Sequence, residues 1–217
     1  MKDPRPKWSR RLLLVGVVGV LAIGGAVAFR QRALPAWQRA AAKNARAREL
    51  EALHAKLQAA VTADPKDKQA RWELADYYQK LGLLKEAGDQ LEAIVGLDPA
   101  DRDARIALGN ARLAAAQFPE AEAAYQAAAE RWPDAAEAWQ GLAASRYHQR
   151  RYLEASRAAR EAHRLEPAQP NHRYTLATSL LEYALQYPDP MMRVDAIHEA
   201  NDHLKAVLAI WQGPEKG

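Results

Sequence analysis

The sequence predicts an all-α chain, a solenoid of helix-turn-helix units carried behind one N-terminal transmembrane helix. Three observations predict it. Pro65, Pro99, Pro133 and Pro167 stand 34 residues apart, three times over, and a period of that size belongs to a two-helix repeat. Ala, Leu, Glu, Gln and Arg dominate the chain, which favours helix at most positions, and no run reads as a set of strands. Residues 12–29 form eighteen positions without a charge, just enough to span a bilayer as a thin helix.

Residues 1–11 are a basic tail in which Lys2, Arg5, Lys7, Arg10 and Arg11 face one acid, Asp3. Residues 12–29 follow as the membrane span. Ala26-Val27-Ala28 is also an acceptable cleavage site after a short apolar core, so a removed secretory signal ending near Ala28 is the alternative. Residues 30–49 are a basic stalk. Positive flanking charge sets the orientation of a span, and here both flanks are basic. A short, strongly basic amino end is hard to translocate, so the N-terminus is placed in the cytoplasm and the repeats in a periplasm-like space across the inner membrane.

Residues 50–67 read as a capping half-unit, with Leu50, Leu53, Leu57 and Ala60 at the places of a second helix. Such a cap covers the apolar end face that a solenoid would otherwise expose. Three regular units follow at 68–101, 102–135 and 136–169, then an irregular one at 170–212. Each proline ends a second helix, since it lacks the amide donor and clashes with the preceding turn. Small residues at 75, 109 and 143 on the first helices, and Ala87, Ala121 and Ala155 on the second, allow close approach between the two. In the last unit Tyr187-Pro188-Asp189-Pro190 interrupts. Val194, Ile197, Leu204, Val207, Leu208 and Trp211 then form one apolar stripe on a delayed partner helix.

This pattern of prolines, small residues and large residues in fixed register resembles the tetratricopeptide repeat over about residues 68–185. The resemblance implies a right-handed solenoid that binds other proteins without catalysis. It also implies that the second, fifth, ninth and twelfth residues of each first helix line a concave groove. At those positions stand Gln69, Trp72, Asp76 and Gln79, then Asp103, Ile106, Asn110 and Leu113. Glu137, Gln140, Ala144 and Tyr147 follow, and Asn171, Tyr174, Thr178 and Leu181 close the series. Gln69, Trp72, Asp76, Ile106, Asn110, Gln140, Tyr147 and Tyr174 are the expected contacts. Trp72, Tyr147 and Tyr174 are amphipathic anchors of the kind enriched at hot spots. Relatives that grip a chaperone's terminal carboxylate use lysines, arginines and asparagines here, and only Asn110 matches. By layout the chain is similar to anchored bacterial repeat proteins that assist cytochrome c maturation or accompany the secretion translocon. The partners it implies are other protein subunits of a membrane complex.

Composition narrows the rest. Without cysteine there is no disulfide, thiolate metal site or catalytic thiol. The six histidines lack familiar ligand spacing, and no phosphate loop or nucleophile elbow occurs. No enzyme activity, cofactor, metal or small-molecule substrate is therefore expected. His198 and Asp202, with Glu199 and His203 nearby, read as an exposed helix face. Arg146, Arg150, Arg151, Arg157, Arg160 and Arg164 form the densest basic patch, either a solvated face or a surface for an acidic partner. The net +4 belongs to the N-terminal 49 residues, which hold eleven of the 31 bases and two of the 27 acids. Residues 50–217 keep 20 bases and 25 acids, so the high pI does not signal nucleic-acid binding.

Overall fold

The computed structural model describes residues 36–186 and 189–212. The basic tail and the span at 12–29 lie outside them. Among the described residues no helix is long and apolar enough to cross a membrane. Nine helices occur there: α1 (Ala36–Ala63), α2 (Lys68–Lys80), α3 (Leu84–Leu97), α4 (Arg102–Ala114), α5 (Phe118–Arg131), α6 (Ala136–His148), α7 (Tyr152–Leu165), α8 (Pro170–Gln186) and α9 (Pro190–Gln212). The chain divides into two compact units, Met1–Leu53 and His54–Gly217. In the first, positions 43–49 of α1 are all exposed. The second holds the repeats.

Within it each helix packs on the next, from α2 through α9. First helices also approach each other across units, α4 with α6 and α6 with α8. No such proximity joins the second helices α3, α5 and α7. The first helices therefore occupy the tighter, inner side of the stack.

The sequence repeats because the same joints are built several times. The carbonyl of each proline accepts a hydrogen bond from the side chain six residues on: Arg71 Nε to Pro65 at 2.9 Å, Arg105 Nη2 to Pro99 at 3.2 Å, Trp139 Nε1 to Pro133 at 3.0 Å and Arg173 Nε to Pro167 at 3.3 Å. These bonds satisfy a carbonyl that no helix can use. Asp67 and Asp101 cap α2 and α4 through the amides of Ala70 and Ala104. In the three regular units the turn from first to second helix passes through a left-handed residue, Gly82 (φ 75), Ala116 (φ 57) and Arg150 (φ 61). Only the first of these is the residue type that takes that conformation freely.

In the three regular units the eleventh residue of the first helix reaches back to the preceding second helix. The Tyr78 hydroxyl is hydrogen-bonded to His54 Nε2 at 3.0 Å, and His54 stacks on Tyr77 with ring centroids 5.6 Å apart. Arg112, only 7% exposed, bonds Asp89 and Glu92 of α3 at 2.9 and 2.6 Å. It runs along α3 where Gly88 leaves room, since a Cβ there would come within 3.1 Å of its Nε. Arg146 bonds Glu122 and Gln126 of α5, both at 2.9 Å. Arg146 is thus a clamp within the solenoid, not part of an open basic patch. Arg151, Arg160 and Arg164 likewise pair with Glu122, Glu199 and Glu161.

Between units two and three a single ring fills the joint. Tyr125 is fully buried and lies against the backbones of Gly109 and Gly141. A Cβ at Gly109 would stand 2.6 Å from its ring, and one at Gly141 only 2.2 Å. Gly109 is one of the expected small positions, and Ala143 is buried as well. The glycine that the ring requires on α6 is Gly141.

Two expectations on the flanks are corrected. In the cap, Leu57 is buried with Val61, while Leu53 is 42% exposed and Ala60 faces outward. The half-unit therefore turns a slightly different face inward than the repeat register gives. On α9 the buried residues are Ala196, Ala200 and Val207, with Ile197 and Leu204 partly covered. Val194, Leu208 and Trp211 are exposed. The buried face of α9 is therefore turned from the expected stripe toward Ala196 and Ala200, with Val207 the one stripe residue fully inside.

Candidate protein-binding groove

The inner side carries the residues expected to bind, and they fall into three kinds. Ile106 does not line a surface at all. At 6% exposure it belongs to the core cluster with Ala121, Tyr125 and Leu142, because Tyr125 and its two glycines draw α4 and α6 together there.

The polar residues are mostly engaged with one another. Asn110 Oδ1 accepts from the Tyr125 hydroxyl at 2.5 Å, and its Nδ2 donates to Glu137 Oε1 of the next first helix at 3.2 Å. Burial pushes the Tyr125 phenol far above its ordinary value, helped by the nearby Glu137 carboxylate, so it stays a neutral donor. Asn110, one of the expected groove contacts, accordingly positions the core ring. Gln140 Nε2 donates to Thr175 Oγ1 of α8 at 2.7 Å. Gln69 donates to Glu73 at 3.0 Å, and Asp76 pairs with Lys80 one turn on. A polar ladder thus runs from α4 through α6 to α8 and fixes the spacing of the inner helices.

The aromatic residues are the part left available. Trp72 is half-buried against the cluster of Ala75, Leu91 and Ile94. Tyr147 is half-buried and meets Tyr152 edge-on at 5.2 Å. Burial raises its phenol first, and Glu182 adds to the effect. Tyr174 is 47% exposed, and its ring lies 6.3 Å from that of Trp211. Trp211 was not among the expected groove residues. It comes from a helix displaced from the 34-residue register, so extrapolating the repeat could not reach it. Its place on the apolar stripe was the only signal.

Among the described residues no group of three or more His, Asp or Glu side chains is placed to hold a metal ion. His203 lies 4.0 Å from Glu199 and meets the His163 ring edge-on at 5.3 Å. His163 Nδ1 and His172 Nδ1 are buried without a hydrogen-bond partner.

An inner wall of first helices, each locked by a proline-carbonyl bond, defines a helical-repeat solenoid of two-helix units. The chain belongs to the tetratricopeptide repeat family, which it matches over residues 51–102 and 106–173, more than half its length. No curated protein matches it. Solved structures share the fold. MamA residues 41 to the end from Desulfovibrio magneticus RS-1 aligns at TM-score 0.63 and 16% identity, over 83% of this chain and 96% of that one. YrrB, described as a tetratricopeptide repeat protein with an unusual peptide-binding site, aligns at 0.58 and 19%, over 74% and 81%. The first repeat domain of Spaghetti (RPAP3), bound to the HSP90 peptide SRMEEVD, aligns at 0.51 and 21%, over 57% and 97%.

Proposed function

We propose that this protein is a non-catalytic scaffold that holds a protein partner in its inner groove, anchored in the inner membrane by residues 12–29. One observation carries the binding part. After the polar groove residues have bonded to each other, Trp72, Tyr147 and the Tyr174–Trp211 pair remain as partly exposed amphipathic rings along one wall. Rings of this kind contribute most of the energy at interfaces when a partner covers them. YrrB and the RPAP3 domain, which bind peptides, support the same use of the fold.

The uncharged run at 12–29 and the bases before it support an anchor with the N-terminus in the cytoplasm and the repeats in the periplasm. A protein so placed serves as a subunit or an assembly factor of a membrane complex. The Ala26-Val27-Ala28 triplet supports a second reading, a soluble secreted adaptor that has lost its signal.

The test is recovery of the full chain from its own membranes in mild detergent, with mass spectrometry of co-purifying proteins and of the chain's N-terminus. Stoichiometric membrane subunits with an intact Met1 support the anchored scaffold. A lone chain beginning near Phe29 supports the adaptor and removes the anchor. Trp72→Ala with Tyr174→Ala should weaken capture by about 2 kcal/mol or more at unchanged helical content; undiminished capture moves the interface off this wall.

A further inference from the structure

The 34-residue repeat turns one hydrogen bond into a prediction about ligand charge. Asn110 donates to Glu137 across the second junction of the inner wall. One repeat earlier the same two places are held by Asp76 and Asp103. A donor and an acceptor are replaced there by two carboxylates, and both residues are exposed. Lys80 pairs with Asp76, answering one of the two charges. Trp72 stands one turn before Asp76 on the same helix face.

The wider wall has the same sign. Its sixteen groove positions include Asp76, Asp103 and Glu137 but no lysine or arginine. Several arginines of units two and three are turned to carboxylates elsewhere, as Arg112 is to Asp89 and Glu92 and Arg146 is to Glu122. A like-charged carboxylate pair beside an indole face suits a cation, which gains from both the charges and the ring. An acidic tail would meet the like charge of Asp76, Asp103 and Glu137.

We propose that the groove takes an extended peptide segment bearing an arginine or lysine, whose charged head sits between Asp76 and Asp103 against Trp72. This rests on the reading of the groove as the binding surface. It names the partner's chemistry: a basic segment, not an acidic tail such as SRMEEVD.

The experiment pans the full chain in mild detergent with a random peptide library, then measures selected peptides by fluorescence anisotropy. Selected sequences should share a basic residue at one position, and binding should weaken with added salt. Asp76→Asn with Asp103→Asn, at unchanged circular dichroism and melting temperature, should lower affinity about tenfold. A peptide with glutamine in place of its basic residue should bind the native chain and the variant alike. The inference is overturned if selected peptides show no basic preference, if the double variant binds them undiminished, or if SRMEEVD binds as tightly. It is also overturned if a Met1–Arg11 peptide displaces them at equal concentration, which would make the occupant a second copy of this chain. Trp72→Ala with Tyr174→Ala separates the two readings. Uncharged peptides that lose affinity for that variant leave the groove standing and remove only the charge preference. Peptides that bind it undiminished, or an empty selection, remove both.

Discussion

The joint between units two and three and the joint onto the last helix solve one problem with opposite materials. In the middle, a fully buried tyrosine fills the space between α4 and α6, and two glycines receive its ring. At the end, α9 is seated through Ala196, Ala200 and Val207 beside the histidines 163, 172 and 203 from three helices. The first joint is built on one large ring whose hydroxyl donates to Asn110. The second is built of small side chains and contains buried ring nitrogens that lack partners. In a solenoid each unit contacts mainly its neighbours, so stability is close to a sum over joints. The two ends of this sum should therefore respond to different insults.

The largest effect is expected in the middle. Gly141→Ala would put a methyl 2.2 Å from the Tyr125 ring. The ring has little room to yield, because it is fully buried and Gly109 also lies against it. The substitution should cost about 3 kcal/mol or more, read as a lower urea midpoint of the whole repeat unit. A cost below about 1 kcal/mol would mean that the ring is not the keystone of this joint.

Next comes the clamp between units one and two. Arg112→Ala removes a guanidinium that is buried, although its partners Asp89 and Glu92 are mostly in water. The freed carboxylates can be solvated, so the loss is chiefly packing and two charge-assisted bonds, about 2 kcal/mol. Glu92→Gln in the same chemical denaturation should cost under about 1 kcal/mol. If the two are equal, the clamp is electrostatic and the buried stem counts for little.

How far the sequence disclosed this contrast follows from what a repeat can encode. The prolines, the alanines at 87, 121 and 155 and the groove positions recur, and the helices fall where the register puts them. Tyr125 does not recur: Leu91 and Ala159 stand in its place one repeat away. Its glycine at 141 therefore carries no periodic signal. Ile106 was expected in the groove because its position is, yet the Tyr125 joint pulls it inside. The proline-carbonyl bonds do recur, but through Arg, Arg, Trp and Arg, so identity hid a shared role. Trp211 and the cap's Val61 lie where the register lapses; apolar spacing marked the first, and the second was not singled out in the sequence. The expected span at 12–29 rests on the sequence alone and lies outside the described residues.

The joint onto α9 should be the part sensitive to mild acid. Burial lowers His163 first, and the nearby Arg173, His203 and His172 lower it further. Burial also lowers His203 first; Glu199 and Asp202 oppose this, while Arg173 and Arg160 reinforce it. In the folded chain both therefore sit below their ordinary 6.5, and the unfolded chain binds more protons. Their contribution to stability is complete above pH 6.5 and is lost as the pH falls through the lower folded values. Protonation also places a donor on the buried His163 Nδ1, which has no acceptor. Amide exchange in α9 should quicken between pH 7.5 and 5.5, beyond the change in α4 to α6 after correction for intrinsic rates. Equal protection across both regions would show that the histidines do not govern this joint.

The smallest effect distinguishes the turns, and it sharpens the contrast because it adds stability at a chosen place. Gly82, Ala116 and Arg150 all occupy left-handed backbone, which costs a non-glycine residue about 1 kcal/mol. Nothing in the open turn returns that cost to Ala116, which is exposed. Glycine would relieve the strain but would also loosen the unfolded chain, so the net gain from Ala116→Gly should be about 0.5 kcal/mol. Arg150→Gly should gain a similar amount, since Arg150 is exposed too. Gly82→Ala, with open space around its Cβ, should lose about 1 kcal/mol through backbone strain alone. Site-resolved exchange then reads where each gain is felt. If the joints act separately, Ala116→Gly slows exchange in α4 and α5 first, and Arg150→Gly slows it in α6 and α7. If both slow every helix equally, the solenoid unfolds as one body. The weakness at α9 would then limit the middle as much as the end.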